Sequence, residues 1–221
     1  MTLRTWVRGV GEVLITVGVV LLLFVGYELW WTNVVADRAV AAERAELLDR
    51  FGQPPHPSPD SASSKVVPGD AFALMYIPAI ERSWVRPVVE GVTLEDLSRG
   101  VGHYPQTAMP GQVGNFAVAG HRATNGQPFA YLDRVTTGDQ VIVQTQTRWY
   151  VYRVTDVSLV APTDVDVIAP VPGDPTATPD RRIITLTTCN PRWASYERLI
   201  LHGRLVSSSP AADPPPIPGG G

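Results

Sequence analysis

The longest apolar stretch in the chain runs from Val10 to Trp31 (VGEVLITVGVVLLLFVGYELWW) and carries no charge between Val13 and Tyr27. As a helix, these residues would extend roughly 33 Å, enough to cross a hydrocarbon core of about 30 Å. Glu12 and Glu28 sit near the two ends, and Tyr27, Trp30 and Trp31 cluster at one of them, as in an interfacial aromatic belt. A cleaved signal peptide needs a shorter apolar region followed by small residues. This run ends in Tyr-Glu-Leu-Trp-Trp, so residues 10–31 are expected to be an uncleaved transmembrane helix behind a short amino-terminal segment, 1–9. Arg4 and Arg8 precede the span while Arg38, Arg44 and Arg50 follow it, so the basic residues alone do not orient it.

After the span the pattern changes three times. Residues 32–51 are rich in Ala, Glu, Arg and Leu and read as a juxtamembrane helix, expected to act as a spacer between bilayer and domain, with a packing or partner helix as the alternative. Residues 52–69 hold five prolines among Ser and Gly, a linker too polar to bury a core, and His56 within it reads as solvated. Residues 70–206 contain short β-branched runs: 72–77, 85–89, 115–119, 140–145, 149–160, 182–188 and 198–206, separated by Gly, Pro, Asn and Asp. Many short strands with such punctuation predict a mainly β barrel or sandwich. Thr93–Arg99 predicts a short helix capped by Thr93, with further helical turns near Pro128–Asp133 and Val165–Ala169. Residues 207–221 (SSSPAADPPPIPGGG) predict a disordered tail.

Composition narrows the chemistry. With 18 Lys+Arg against 21 Asp+Glu the net charge is −3, which argues against nucleic acid as a partner because phosphate neutralisation needs a basic surplus. The single cysteine, Cys189, permits neither an internal disulfide nor a multi-cysteine metal site. His103 and His202 read as isolated, HExxH spacing is absent, and Asp164 with Asp166 are too few carboxylates for calcium, so no metal is expected. Glycine-rich phosphate motifs are missing, and no organic cofactor is expected.

Side chains alternate along strands, so parity assigns faces. Placing Phe116 and Val118 inward turns His121 outward; placing Leu186 inward turns Cys189 outward; placing Leu199 and Leu201 inward turns Arg198 outward. Each has an ordinary structural reading: a buried thiol, a structural imidazole, an arginine at a solvated edge. Together they supply a nucleophile, a proton carrier and an anion stabiliser, the set that acyl transfer requires. A lone thiol outside a membrane is exposed to oxidation, which calls for a functional reason.

Thr185-Leu186-Thr187-Thr188-Cys189 resembles the TLxTC signature of the sortases, membrane-anchored cysteine transpeptidases of Gram-positive bacteria. Gly120-His121-Arg122 resembles their histidine motif, and Arg198 in Glu197-Arg198-Leu199-Ile200 their strand-borne arginine, in the family's order His, Cys, Arg. The resemblance covers roughly residues 71–206. Gly102-His103-Tyr104-Pro105 and the Pro-rich flanks are most similar to class E sortases of actinobacteria. The resemblance implies a closed β-barrel of about eight strands. It implies Cys189, His121 and Arg198 as catalytic residues, with Thr188, Tyr104 and Thr163 beside the substrate. It also implies cleavage of a carboxy-terminal LAxTG- or LPxTG-like sorting signal between Thr and Gly, and transfer of the protein to a peptidoglycan-precursor amine. The catalytic domain would then lie outside a single-pass plasma membrane, with the amino terminus inside. A cysteine endopeptidase using water, or an inactive membrane-tethered peptide-binding module, are the alternatives left open.

Overall fold

A computed structural model describes residues 3–53 and 66–216. Eight strands close into one barrel in the order β1-β2-β3-β4-β7-β8-β6-β5. They are β1 (Ala71–Tyr76), β2 (Val85–Glu90), β3 (Val101–His103), β4 (Gly114–Ala119), β5 (Gln140–Gln144), β6 (Arg148–Val160), β7 (Arg182–Asn190) and β8 (Glu197–Pro210). Neighbours run antiparallel except β2–β3 and β4–β7, which are parallel. The first parallel pair is bridged by helix α2 (Leu94–Arg99). Its amino terminus is closed as the sequence predicts: Asp96 N donates to Thr93 Oγ1 at 3.2 Å, and Thr93 N donates back to the Asp96 carboxylate at 3.0 Å.

The alternating apolar residues meet inside the barrel. Phe116 and Val118 of β4, Ile184 and Leu186 of β7, and Leu199 and Leu201 of β8 are all buried in one cluster with Met75, Val88, Val143 and Val154. β3 escaped the sequence pattern because three residues between Gly100 and the Tyr104 turn show no period. β8 corrects the expected tail boundary. It continues through Pro210, with Ser207–Pro210 paired to Arg148–Val151, so polar Ser207–Ser209 form a strand on the partner's backbone hydrogen bonds rather than a disordered start. Most of the linker, including His56, and the last five tail residues lie outside the described residues.

Helix α1 (Leu3–Gly52) is one continuous element of 50 residues, roughly 75 Å long. Its Trp6–Tyr27 stretch is long and apolar enough to cross a membrane and is not buried against any of the described residues. Its second half corrects the spacer expectation. Ala36, Val40 and Leu47 are buried, and Glu43 and Arg50 half-buried, on one helical stripe. Leu47 packs among Ala71, Leu74, Val85 and Val89 on the outside of β1 and β2. Arg99 of α2 pairs with Glu43 at 2.7 Å, and Arg50 donates to the Ala71 carbonyl at 3.0 Å. An Ala-rich segment with small side chains lets the helix lie close to the barrel, which is why it docks instead of standing clear.

Candidate active site

β4 and β7 run side by side in the same direction, with Ala119 opposite Thr187. Gly120 N extends the ladder by donating to the Thr187 carbonyl at 3.1 Å. His121 and Cys189 each lie two residues beyond that matched pair, so the register carries both to the same end of adjacent strands. On the other side of β7, Cys189 is directly opposite Arg198 of β8. Side chains of such a pair leave one face with Cβ atoms about 5 Å apart. Three neighbouring strands thus deliver imidazole, thiol and guanidinium to one groove of about 270 Å³, lined by all three together with Tyr104, Thr188 and Ile200.

Each group is held by its surroundings. Gly120 allows the approach of Phe129: a Cβ there would come within 2.5 Å of the ring. The Phe129 amide donates to the His121 carbonyl at 3.0 Å, and its ring stacks on Trp84. Asn125 Nδ2 donates to His121 Nε2 at 3.3 Å. His121 is half-buried, and burial holds its pKa below the ordinary 6.5, because desolvation penalises the imidazolium. Arg198 Nη1 donates to the carbonyls of Ser195 and Glu197 at 3.1 and 3.0 Å. These contacts orient the fork and leave Nε and Nη2 without hydrogen bonds among the described residues. Cys189 is a free, half-exposed thiol.

Of the expected substrate-side residues, Thr188 faces inward, buried, and donates to the Gly120 carbonyl at 2.8 Å while bordering the groove. Tyr104 also borders it, its hydroxyl 3.2 Å from Thr187 Oγ1. Thr163 is exposed and outside the lining. The turn closed by Asp164 N and the Ala161 carbonyl points it to solvent while Pro162 and Asp164, its neighbours, reach the groove. Parity on the β6–β7 loop could not be read, since loop residues do not alternate.

The sequence reading passed over several contributors. Arg122, part of the GHR segment, is buried; it donates to the Cys189 carbonyl at 3.2 Å and to Asn190 Oδ1, and pairs with Asp133 at 3.2 Å. It ties the histidine loop to the end of the cysteine strand. His103, read as isolated, is buried 2.6 Å from the Glu90 carboxylate, with Thr107 Oγ1 3.0 Å from its other nitrogen. His202, also read as isolated, has Nδ1 2.9 Å from Thr185 Oγ1, which donates to Asn115 Oδ1 at 2.7 Å. Asn115 in turn donates to the Val167 and Ala169 carbonyls, pinning the loop whose Val165, Val167 and Ile168 wall the groove. Apart from Thr107, four residues from His103, these partners are 11 to 70 positions apart, so no local motif could expose them.

Residues 75–206 match the family model described as the sortase domain. The chain belongs to the sortase family. Sortase SrtE1 of Streptomyces coelicolor is 40% identical over 92% of this chain, which spans 58% of that relative's length. A solved sortase E from Streptomyces avermitilis is 44% identical, with a TM-score of 0.61 over 67% of this chain and 97% of its own. Sortase E1 of Streptomyces coelicolor, solved with a tripeptide in its active site, is 39% identical with a TM-score of 0.60 over 67% of this chain and 96% of its own. These likenesses place this sortase with class E and agree with the closed eight-stranded barrel.

Proposed function

We propose that this sortase is a transpeptidase that cleaves a carboxy-terminal LAxTG- or LPxTG-like sorting signal between Thr and Gly and transfers the acyl part to a cell-wall amine. The convergence of Cys189, His121 and Arg198 in one groove from three adjacent strands carries this reading. Cys189 passes its thiol proton to His121, the thiolate attacks the Thr carbonyl carbon, and the oxygen takes up the negative charge. Arg198, with donors open toward the groove, stabilises that oxyanion. Collapse breaks the C–N bond, His121 gives a proton to the departing glycine amine, and a thioester on Cys189 remains. An incoming amine attacks the thioester, His121 takes its proton, and the thiolate is restored. Thr188 and Tyr104 set the groove's depth around the signal, while Thr163 stays in solvent.

In this reading α1 crosses the plasma membrane once, with its first residues inside and the barrel outside. The amine belongs to a peptidoglycan precursor such as a lipid II-like stem or cross-bridge. Incubating the detergent-solubilised chain with an LAxTG-like peptide, with and without an amine acceptor, tests the reaction by mass spectrometry. The expected products are a thioester on Cys189 and an amide to the acceptor. Cleavage with water alone at every amine concentration would indicate an endopeptidase, and unaltered peptide with bound chain a binding module.

A further inference from the structure

The docked half of α1 sets the direction in which the barrel faces. Ala36, the buried helix residue nearest the apolar span, packs on the loop after His121: a Cβ on Gly126 would sit 3.3 Å from Ala36 Cβ. Arg50, about 21 Å further along the helix, meets the opposite end of the barrel, where Gln146 in the β5–β6 turn donates to the Arg50 carbonyl at 3.2 Å. The strand register fixes which end is which. β6 begins at Arg148 opposite Pro210 and ends at Val160 opposite Arg198. The end that holds Cys189 is therefore the end nearest the span. Tyr27 and Trp31 stack at 5.8 Å where the apolar run finishes, and Ala36 lies only five residues beyond, about 7.5 Å along the axis.

That same end presents exposed aromatic surface. Trp193 is 73% and Tyr196 79% exposed in the β7–β8 loop, two and five residues after the cis Asn190-Pro191 bond, and Tyr131 is 43% exposed beside them. Arg192 lies between the Tyr131 and Trp193 rings at 4.9 and 5.1 Å, and Arg134 covers Tyr131 at 4.1 Å. Arg192 also donates to Gln127 Oε1 at 2.6 Å, joining this cluster to the loop that touches α1. Trp, Tyr and Arg at the surface are the side chains that settle at a membrane–water boundary, ring in the headgroups and cation on lipid phosphate. Neither Trp193 nor Tyr196 lines the catalytic groove.

We propose that the barrel docks its catalytic end onto the outer leaflet through Trp193 and Tyr196, with Arg134 and Arg192 on anionic headgroups, so that Cys189 opens toward peptides emerging from the bilayer. The inference rests on α1 spanning the membrane. The full chain carries one cysteine, so Cys189→Ala allows a single spin label to be placed at Trp193→Cys, Ser207→Cys or Leu22→Cys after reconstitution into phosphatidylglycerol-containing vesicles. Collision with oxygen against an aqueous nickel chelate reports depth. The expected result is a label at position 193 at headgroup level, one at 207 fully aqueous and one at 22 in hydrocarbon. An aqueous label at 193 with position 22 in lipid overturns the docking alone, whereas an aqueous label at 22 overturns the span and the docking with it. Independently, Trp193→Ser with Tyr196→Ser in the wild-type background is expected to slow turnover of a membrane-tethered substrate in vesicles while leaving a soluble peptide unchanged. An equal loss on both substrates means that the loop contacts the peptide or a protein, and overturns the proposal.

Discussion

Arg122 donates to the carbonyl of Cys189 from the loop that carries His121, 67 positions away in sequence, so one buried guanidinium couples the acid–base residue to the nucleophile's own backbone. Its other contacts, Asn190 and Asp133, extend the tie to both flanks of the site.

Removing that tie should reach both stability and rate. Arg122→Ala leaves the Cys189 carbonyl and Asn190 Oδ1 without this donor, a cost of about 2 kcal/mol in unfolding free energy. Turnover is expected to fall by about tenfold or more, as expected when a reacting group is displaced. Arg122→Lys, a point charge without the fork, should recover part of the stability and little of the rate. Denaturant melts and peptide-cleavage kinetics check the two separately.

Arg198→Ala is expected to lower kcat by about 10²–10³, the usual loss for one oxyanion donor, with the fold intact because the residue is half-exposed at a strand end. Arg198→Lys should stay within about tenfold of the alanine variant, since Lys cannot bond the Ser195 and Glu197 carbonyls while directing further planar donors into the groove. Steady-state kinetics with circular dichroism of both variants decides this. A lysine variant of near wild-type rate would leave only charge, not geometry, as the function of Arg198.

Thr188 and Thr163 make a matched pair for separating the groove from its rim. Thr188→Val keeps shape but loses the donor to the Gly120 carbonyl, costing about 1 kcal/mol and slowing turnover by loosening the strand end before His121. Thr163→Val, exposed and outside the lining, should change stability by less than about 0.5 kcal/mol and leave kcat/KM unchanged.

Burial lowers the pKa of both His121 and His202 below 6.5. Above 6.5 both are neutral in folded and unfolded chains, and their burial leaves stability independent of pH. As pH falls below 6.5 the unfolded chain takes up protons that the folded chain resists, so stability declines through the window between 6.5 and the lowered folded values. His202→Gln should flatten part of that decline. Thermal melts between pH 4.5 and 8 measure the slope, and an NMR titration of His121 should show a midpoint under 6.5.

Leu47→Ala removes the fully buried side chain that joins α1 to β1 and β2. A loss of about 3 kcal/mol is expected, the middle of the range for buried leucine truncations. Differential scanning calorimetry of the detergent-solubilised chain checks it. The same variant should increase exchange of the Ala71 and Val89 amides, because the helix covers them.

The sequence by itself determined the elements and the chemistry. A largely apolar run of 22 residues specifies a membrane-length helix, and the alternation in 115–119, 182–188 and 198–206 turned Phe116, Leu186 and Leu199 inward and His121, Cys189 and Arg198 outward, because a strand has a period of two wherever it lies. Thr93 capped its helix for the same reason: the partners are three residues apart. Only the tertiary structure decided what depends on distant partners. Closure of the barrel set Arg198 opposite Cys189, buried His103 against Glu90 and Arg122 beneath the site, turned polar Ser207–Ser209 into strand, and laid residues 36–50 of α1 along the barrel. Burial and pairing between residues distant in sequence are properties of packing, and a local pattern carries no record of which surface will cover it.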